Sequence, residues 1–308
     1  MSKFIIQGGK RLEGEVCISG SKNAALPIIA ATVLVKGKTI LYNVPNIQDV
    51  QTMFEIIRDI GGKVTKKNNK MIIDTSKIHT YEIPENLMRK MRSSVILAGA
   101  IIGKYNKANF SYPGGCEIGS RPIDLHLKGF EKLGINIKEE YGKIICNSEK
   151  IKGSQIHLDF PSVGATENII LASCLAEGVT VLTNAAKEPE IEDLVKFLNK
   201  AGAKINGAGT DRIEIIGVKK LLEISYTVMP DRIEAGTYLV AGAITGGNVK
   251  ITNVNPSHIE PILDKLEETN CVLERGKNYV QIKVPRRIKA IDIKTMPYPG
   301  FPTDMQSI

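Results

Sequence analysis

One pattern recurs four times along this chain of 308 residues, at a spacing of about seventy. Each copy holds a segment that is small and apolar on nearly every side: Ala24–Val35, Ser94–Ile102, Asn168–Ala176 and Gly236–Ile244. A helix that is apolar all round must be buried all round. A strand ending in a polar corner follows each one, at Thr39–Asn43, Ala108–Tyr112, Thr180–Asn184 and Asn248–Asn253. Next comes a second helix with a single apolar stripe. The stripes are Ile47, Val50, Phe54, Ile57 and Ile60; Ile123, Leu127, Phe130 and Leu133; Ile191, Leu194, Val195 and Leu198; and Ile259, Ile262, Leu263 and Leu266. Their three- and four-residue spacing is that of an amphipathic helix. The first three stop at glycine (Gly61-Gly62, Gly134, Gly202), and Asn270 takes that place in the fourth.

Neither kind of helix can bury its apolar surface within one copy. The predicted fold class is therefore α/β, with several units gathering their buried helices inside and placing sheets outside. The first three copies make one domain over residues 22–228. The fourth begins a second domain near Met229-Pro230, and Phe301–Gln306 aligns with the start of a fifth buried helix. One repeat and a stub leave that second domain incomplete.

Composition narrows the function classes. With 43% hydrophobic and 24% charged residues, the chain reads as an ordinary globular protein. Its apolar runs, such as Val95–Ile102, fall far short of the roughly 20 residues of a membrane helix. Nothing at the N-terminus reads as a signal peptide. The five cysteines, at 17, 116, 146, 174 and 271, are odd in number and never form C-x-x-C. They point to a reducing cytoplasm, without a disulfide framework or structural zinc. The histidines are scattered, with no H-E-x-x-H, so no protein-held metal is expected. A net charge of +8 fits either a polyanionic partner or a lysine-rich solvated surface. The lysines are dispersed and no aromatic-basic motif accompanies them, so no nucleic acid is expected.

The segment Pro113–His126 carries the most chemistry. It places the Cys116 thiol on a Gly114-Gly115 loop, with the Arg121 guanidinium five residues later. Glycines let backbone approach a ligand, and an arginine grips a phosphate or carboxylate in two-pronged fashion. One reading is a mobile proton donor beside a bound anion; the other is a structural turn with a buried cysteine. Lys22 stands at the start of the first buried helix, where the dipole favours anions. It marks an anion site, or it is a solvated lysine beside a Ser/Asn cap. Arg92, the Gly164-Ala165-Thr166 turn and Arg232 occupy the equivalent starts, and Asp304 has that place in the stub, as a cap or as a working carboxylate. Familiar signals fail on inspection. Gly37-Lys38-Thr39 mimics a phosphate-loop end but has Thr32 at the earlier glycine position, and Gly207-x-Gly209 meets Arg212 instead of a third glycine.

Taken together, these residues resemble the UDP-N-acetylglucosamine 1-carboxyvinyltransferases, a family of enolpyruvyl transferases. The matching stretches are Gly20–Pro27, Pro113–His126, Ser162–Thr166, Asn184–Glu190, Gly209–Arg212, Pro230–Glu234 and Phe301–Gln306. They cover the chain in order. The resemblance implies an inside-out α/β barrel pair with three repeats per domain, in which residues 1–21 return to join 229–308. It implies transfer of the enolpyruvyl group of phosphoenolpyruvate to the 3′-hydroxyl of UDP-N-acetylglucosamine, the first committed step of peptidoglycan synthesis, without metal or cofactor. It carries links to cell wall, cell shape and cell division, a cytoplasmic location and sensitivity to fosfomycin.

By the same resemblance, Asp304 is the base at the sugar hydroxyl and Cys116 the mobile acid. Lys22 and Arg121 bind the phosphoenolpyruvate anion. Asn23, Arg92, Arg121, Pro122, Ile123, Asp124, Leu125, Ser162, Val163 and Gly164 contact the UDP-sugar. The other four cysteines, in strand- or helix-like contexts, are expected to face the core. Two departures stand out. Phe160-Pro161 occupies a place where the family often carries lysine, and the family's last two repeats lie outside this sequence. The second departure implies that these 308 residues alone do not turn over. The competing reading is a catalytically silent UDP-sugar-binding fragment or pseudoenzyme. A shikimate-pathway transferase shares the fold but not the Gly-Gly-Cys loop, and an RNA-end-processing repeat protein is more remote.

Overall fold

The structure is a computed structural model and describes residues 3–114, 122–285 and 287–305. It divides into two compact units, Gly20–Met229 and Met1–Ser19 with Pro230–Ile308.

In the larger unit the helices are α1 (Lys22–Ala31), α2 (Gln48–Asp59), α3 (Glu85–Met88), α4 (Ile96–Tyr105), α5 (Asp124–Lys132), α6 (Val163–Ser173) and α7 (Pro189–Lys200). A single 3₁₀ turn, Arg92–Val95, leads into α4. Three sheets surround them. In spatial order the first holds Leu221–Thr227, Val35–Tyr42, Lys70–Asp74 and Lys63–Lys67. The second holds Lys107–Ser111, Lys143–Asn147 and Asn136–Glu140; the third Lys204–Asn206, Arg212–Ile216, Val179–Thr183 and Gln155–His157. Each sheet is a hairpin returning antiparallel onto the strand that precedes its amphipathic helix. The unit's last strand pairs parallel with its first, Tyr226 opposite Leu41, which ties its two ends together.

The helices α1, α4 and α6 form the centre. Eight residues of α1, Ala24–Ala31, are buried, as are Ile96–Gly103 of α4 and Ala165–Ser173 of α6. The sequence located them by apolarity and so misjudged their starts. The helix expected from Asn168 begins at Val163, and the one expected from Gly236 at Arg232, because polar caps lie ahead of the apolar stretch. Small residues allow close approach. A Cβ at Gly99 would lie 2.5 Å from Asn168 Oδ1, and one at Gly103 2.8 Å from the Leu171 carbonyl and 3.2 Å from Leu34. Because position 99 meets 168, and 103 meets 171 and the chain just after α1, the three helices run parallel.

The polar corners are asparagines in the left-handed region: Asn43 (φ +56°), Asn184 (φ +54°) and Asn253 (φ +55°). Each side-chain amide donates to the first carbonyl past the end of the parallel neighbour, at Val228 (3.0 Å), Leu158 (2.8 Å) and Ile18 (2.7 Å) respectively. In the second copy Tyr112-Pro113 stands there instead, and the chain runs on into the Gly-Gly-Cys segment.

The smaller unit pairs Glu13–Cys17, Asn248–Thr252, Tyr279–Lys283 and Val272–Arg275 in one sheet, with α8 (Arg232–Ile244) and α9 (Glu260–Glu268). Expected to be buried all round, α8 is not. Ala235, Leu239 and Ala243 face the core, whereas Tyr238 and Ile244 are 38% and 69% exposed. The expected fifth helix start is a single 3₁₀ turn, Thr303–Met305. Its Met305 side chain packs against Gly236, where a Cβ would lie 2.8 Å from the methionine methyl. The α/β class and the inside-out arrangement hold in the larger unit. Among the described residues the strands remain four separate sheets and close into no barrel.

Candidate active site

Three parallel helices with adjacent C-terminal ends also share an N-terminal end. There α1 begins at Lys22, the turn into α4 at Arg92, and α6 at Val163. Each end directs backbone N–H groups and the positive pole of a helix dipole the same way, which suits an anionic ligand. Ser21 and Ser162 cap α1 and α6, accepting from Ala24 N–H (3.3 Å) and Ala165 N–H (3.4 Å). Lys22 is exposed and sits 3.6 Å from the Asp49 carboxylate, a pair open to solvent on both sides. Asn23 is half-buried beside it.

The segment Pro122–Leu125 reaches the same end. Arg92 Nη2 lies 3.5 Å from the Pro122 carbonyl. Ile123 is buried, Leu125 half-buried, and Pro122 and Asp124 are exposed. Under the Ser162–Gly164 turn lies the His126 ring. A Cβ at Gly164 would stand 3.0 Å from His126 Cε1, so glycine seats the turn on the imidazole. Arg92 thus meets Pro122 directly, and His126, which follows Leu125, carries the link to Gly164. Cys116 and Arg121 lie outside the described residues.

Burial and charge set the protonation states beneath this end. Burial holds His126 near pH 4, well below 6.5; Arg92 adds to the shift and Asp124 opposes it. Burial drives the Glu167 carboxyl well above its usual range, and the nearby Glu190 and Glu188 reinforce the shift. Glu167 on α6 therefore holds its proton more tightly than a solvated carboxyl. Burial also raises Asp193, against hydrogen bonds from Tyr226 and the Met229 N–H. Sequence reasoning passed over His126, Asn168, Glu167 and Asp193. The available signal was polarity inside a segment otherwise apolar or on its apolar face.

In the smaller unit Asp304 is exposed on its single turn. Arg232 opens α8, is 5% exposed, and lies over the Tyr298 ring at 5.6 Å. Asp231 caps the same helix through Ile233 N–H (2.8 Å) and Glu234 N–H (3.1 Å). Among the described residues no cluster of metal-ligating side chains occurs and no helix is long and apolar enough to cross a membrane.

Comparison with known proteins decides the family. The family model for EPSP synthase (3-phosphoshikimate 1-carboxyvinyltransferase) matches residues 6–308. UDP-N-acetylglucosamine 1-carboxyvinyltransferase 2 of Caldanaerobacter subterraneus subsp. tengcongensis is 55% identical over 307 residues, 99% of this chain and 74% of that protein. The chain belongs to the enolpyruvyl transferase family. A further relative, UDP-N-acetylglucosamine 1-carboxyvinyltransferase of Geobacter metallireducens, is 48% identical over 100% of this chain and 74% of its own length.

Solved enolpyruvyl transferases share the fold. NikO from Streptomyces tendae superposes with a TM-score of 0.84 at 22% identity, covering 98% of this chain and 72% of that one. EPSP synthase from Acinetobacter baumannii gives 0.70 at 21%, covering 93% and 68%.

Proposed function

We propose that this chain transfers the enolpyruvyl group from phosphoenolpyruvate to the 3′-hydroxyl of UDP-N-acetylglucosamine, supplying the cytoplasmic step that commits the sugar to peptidoglycan. The observation that carries this reading is the shared name of relatives at 48–55% identity over nearly the whole chain. Lys22 and Arg92, each standing at a helix start of the larger unit, support it.

The reaction is an addition followed by an elimination. Asp304 takes the proton of the sugar hydroxyl as its oxygen bonds to C2 of phosphoenolpyruvate. The Cys116 thiol gives a proton to C3, and a model thiol with a pKa near ~8.5 carries one at neutral pH. Phosphate then leaves C2 as C3 loses a proton, which restores the double bond in the product. Lys22 and Arg121 hold the phosphoenolpyruvate anion. Asn23, Arg92, Arg121 and Pro122–Leu125, with Ser162–Gly164, hold the UDP-sugar. Fosfomycin, an epoxide, is attacked by the same thiol. Phe160 is 58% exposed and Pro161 half-buried, so neither supplies the cation often found there in relatives.

The test is phosphate release from phosphoenolpyruvate with UDP-N-acetylglucosamine or shikimate 3-phosphate as acceptor, measured on the chain extended to the length of its relatives, of which it spans 74%. Release with the nucleotide sugar alone supports the reading. Release with shikimate 3-phosphate replaces it with the other branch of the family.

A further inference from the structure

The Asn168 side chain is buried completely and makes three hydrogen bonds to two other helices. Its Oδ1 accepts the Gly99 N–H at 2.7 Å, and its Nδ2 donates to the Val95 carbonyl at 3.0 Å. These two backbone groups are four residues apart and bracket the first turn of α4. The amide therefore spans that turn from outside and fixes the join between α4 and the Arg92–Val95 turn. Gly99 makes this possible, since a Cβ there would lie 2.4 Å from the Asn168 carbonyl oxygen.

The third bond sets the His126 ring. Because Gly99 N–H can only donate, Oδ1 must face it, and Nδ2 must face His126 Nδ1 at 2.7 Å. Nδ2 can only donate, so Nδ1 accepts. The ring proton is then on Nε2, and the Cε1–Nε2 side of the ring faces Gly164. One amide thus links the Arg92 turn, the helix that follows Ile123, and the helix that follows the Ser162–Gly164 turn. These are the three segments brought together at the shared end.

We propose that Asn168 is a positioning residue for the nucleotide-sugar subsite, locking the Arg92, Pro122–Leu125 and Ser162–Gly164 segments in mutual register through α4 and His126. The inference rests on the proposed function for the identity of the ligand, and on hydrogen-bond geometry for the rest. Asn168 touches no substrate itself. A misplacement of one ångström caused by a change away from the chemistry can cost about a hundredfold in rate. The low pKa of His126 agrees: Arg92 and Asp124 are the charges that act on it, and a neutral ring is what accepting at Nδ1 requires.

The test joins imidazole nitrogen NMR with calorimetric binding of UDP-N-acetylglucosamine. In the wild type, His126 should be neutral and protonated on Nε2 at pH 6. Protonation on Nδ1, or titration near 6.5, overturns the inference whether or not any variant folds. In Asn168→Asp the carboxylate cannot donate, so the ring should move its proton to Nδ1 and titrate at higher pH. Asn168→Asp and Asn168→Ala should weaken UDP-N-acetylglucosamine binding about tenfold or more, with phosphoenolpyruvate binding changed by less. A folded variant with wild-type sugar affinity, or with equal loss for both ligands, contradicts the positioning role. Failure of the wild type to bind the sugar at all would instead remove the functional reading, and the ring tautomer would still decide the Asn168–His126 coupling.

Discussion

Tyr226 donates its phenolic proton to Asp193 Oδ1 at 2.7 Å, joining the last strand of the larger unit to α7. The other Asp193 oxygen accepts the Met229 N–H at 3.1 Å, so one buried carboxylate ties down the point where that unit ends. The Tyr226 ring meets Phe197 edge-on at 5.5 Å, which positions the hydroxyl.

Tyr226→Phe keeps the ring and removes the donor. It should destabilise the larger unit by about 1–3 kcal/mol, the cost of leaving a buried polar group short of a partner. Urea unfolding measures this. An unchanged midpoint would mean that water replaces the hydroxyl without loss.

Glu167 provides a pH test. Its carboxyl is buried and its pKa lies well above 4.5 in the fold, through burial and the nearby Glu190 and Glu188. A raised carboxyl stabilises the fold fully below the unfolded value and loses that contribution as pH rises through the folded value. Glu167→Gln removes the titrating group and keeps the shape. The stability of the variant relative to wild type should therefore climb with pH above 4.5, by up to about 1.4 kcal/mol per pH unit. Parallel pH–stability curves for the two proteins would contradict the assignment.

Cysteine labelling separates structural from reactive thiols. Burial pushes both Cys146 and Cys174 up to about 12. Cys271 is also buried, but Cys17 is exposed on its strand, against the expectation that all four face the core. Its neighbours Val16 and Ile18 face the core, so strand alternation turns Cys17 to the outer face of the sheet. Iodoacetamide at neutral pH should label Cys17 and Cys116 and spare the other three. Fosfomycin with UDP-N-acetylglucosamine should select Cys116 over Cys17. Peptide mass spectrometry decides; fosfomycin on Cys17 in preference to Cys116 contradicts the proton-donor role.

Anion recognition has its own signature. Arg121→Ala and Lys22→Ala should each remove a charge-assisted contact worth roughly 1.5–3 kcal/mol. That corresponds to about ten- to a hundredfold in phosphoenolpyruvate affinity. Unchanged phosphoenolpyruvate dependence would make both residues structural.

The repeat was legible because it is written in apolarity. The stripes of α2, α5, α7 and α9 and their stops predicted the helices closely, and Gly61, Gly134, Gly202 and Asn270 all adopt positive φ. The parallel closure by Leu221–Thr227 was not legible, since its partner strand lies almost two hundred residues away and nothing local encodes the pairing. At the site, charged residues announced themselves by standing at helix starts. Asn168 and His126 did not, because their role depends on which helices meet, and only the packing of Gly99 against α6 reveals that.

The central claim is a carbon–oxygen bond formed between two named substrates. NMR of the product formed from UDP-N-acetylglucosamine and phosphoenolpyruvate by the chain extended to its relatives' length measures it directly. The account predicts an enolpyruvyl ether on the 3′-oxygen, with one phosphate released for each ether formed. Tight binding of the nucleotide sugar with neither ether nor phosphate would contradict it and leave a silent sugar-binding protein.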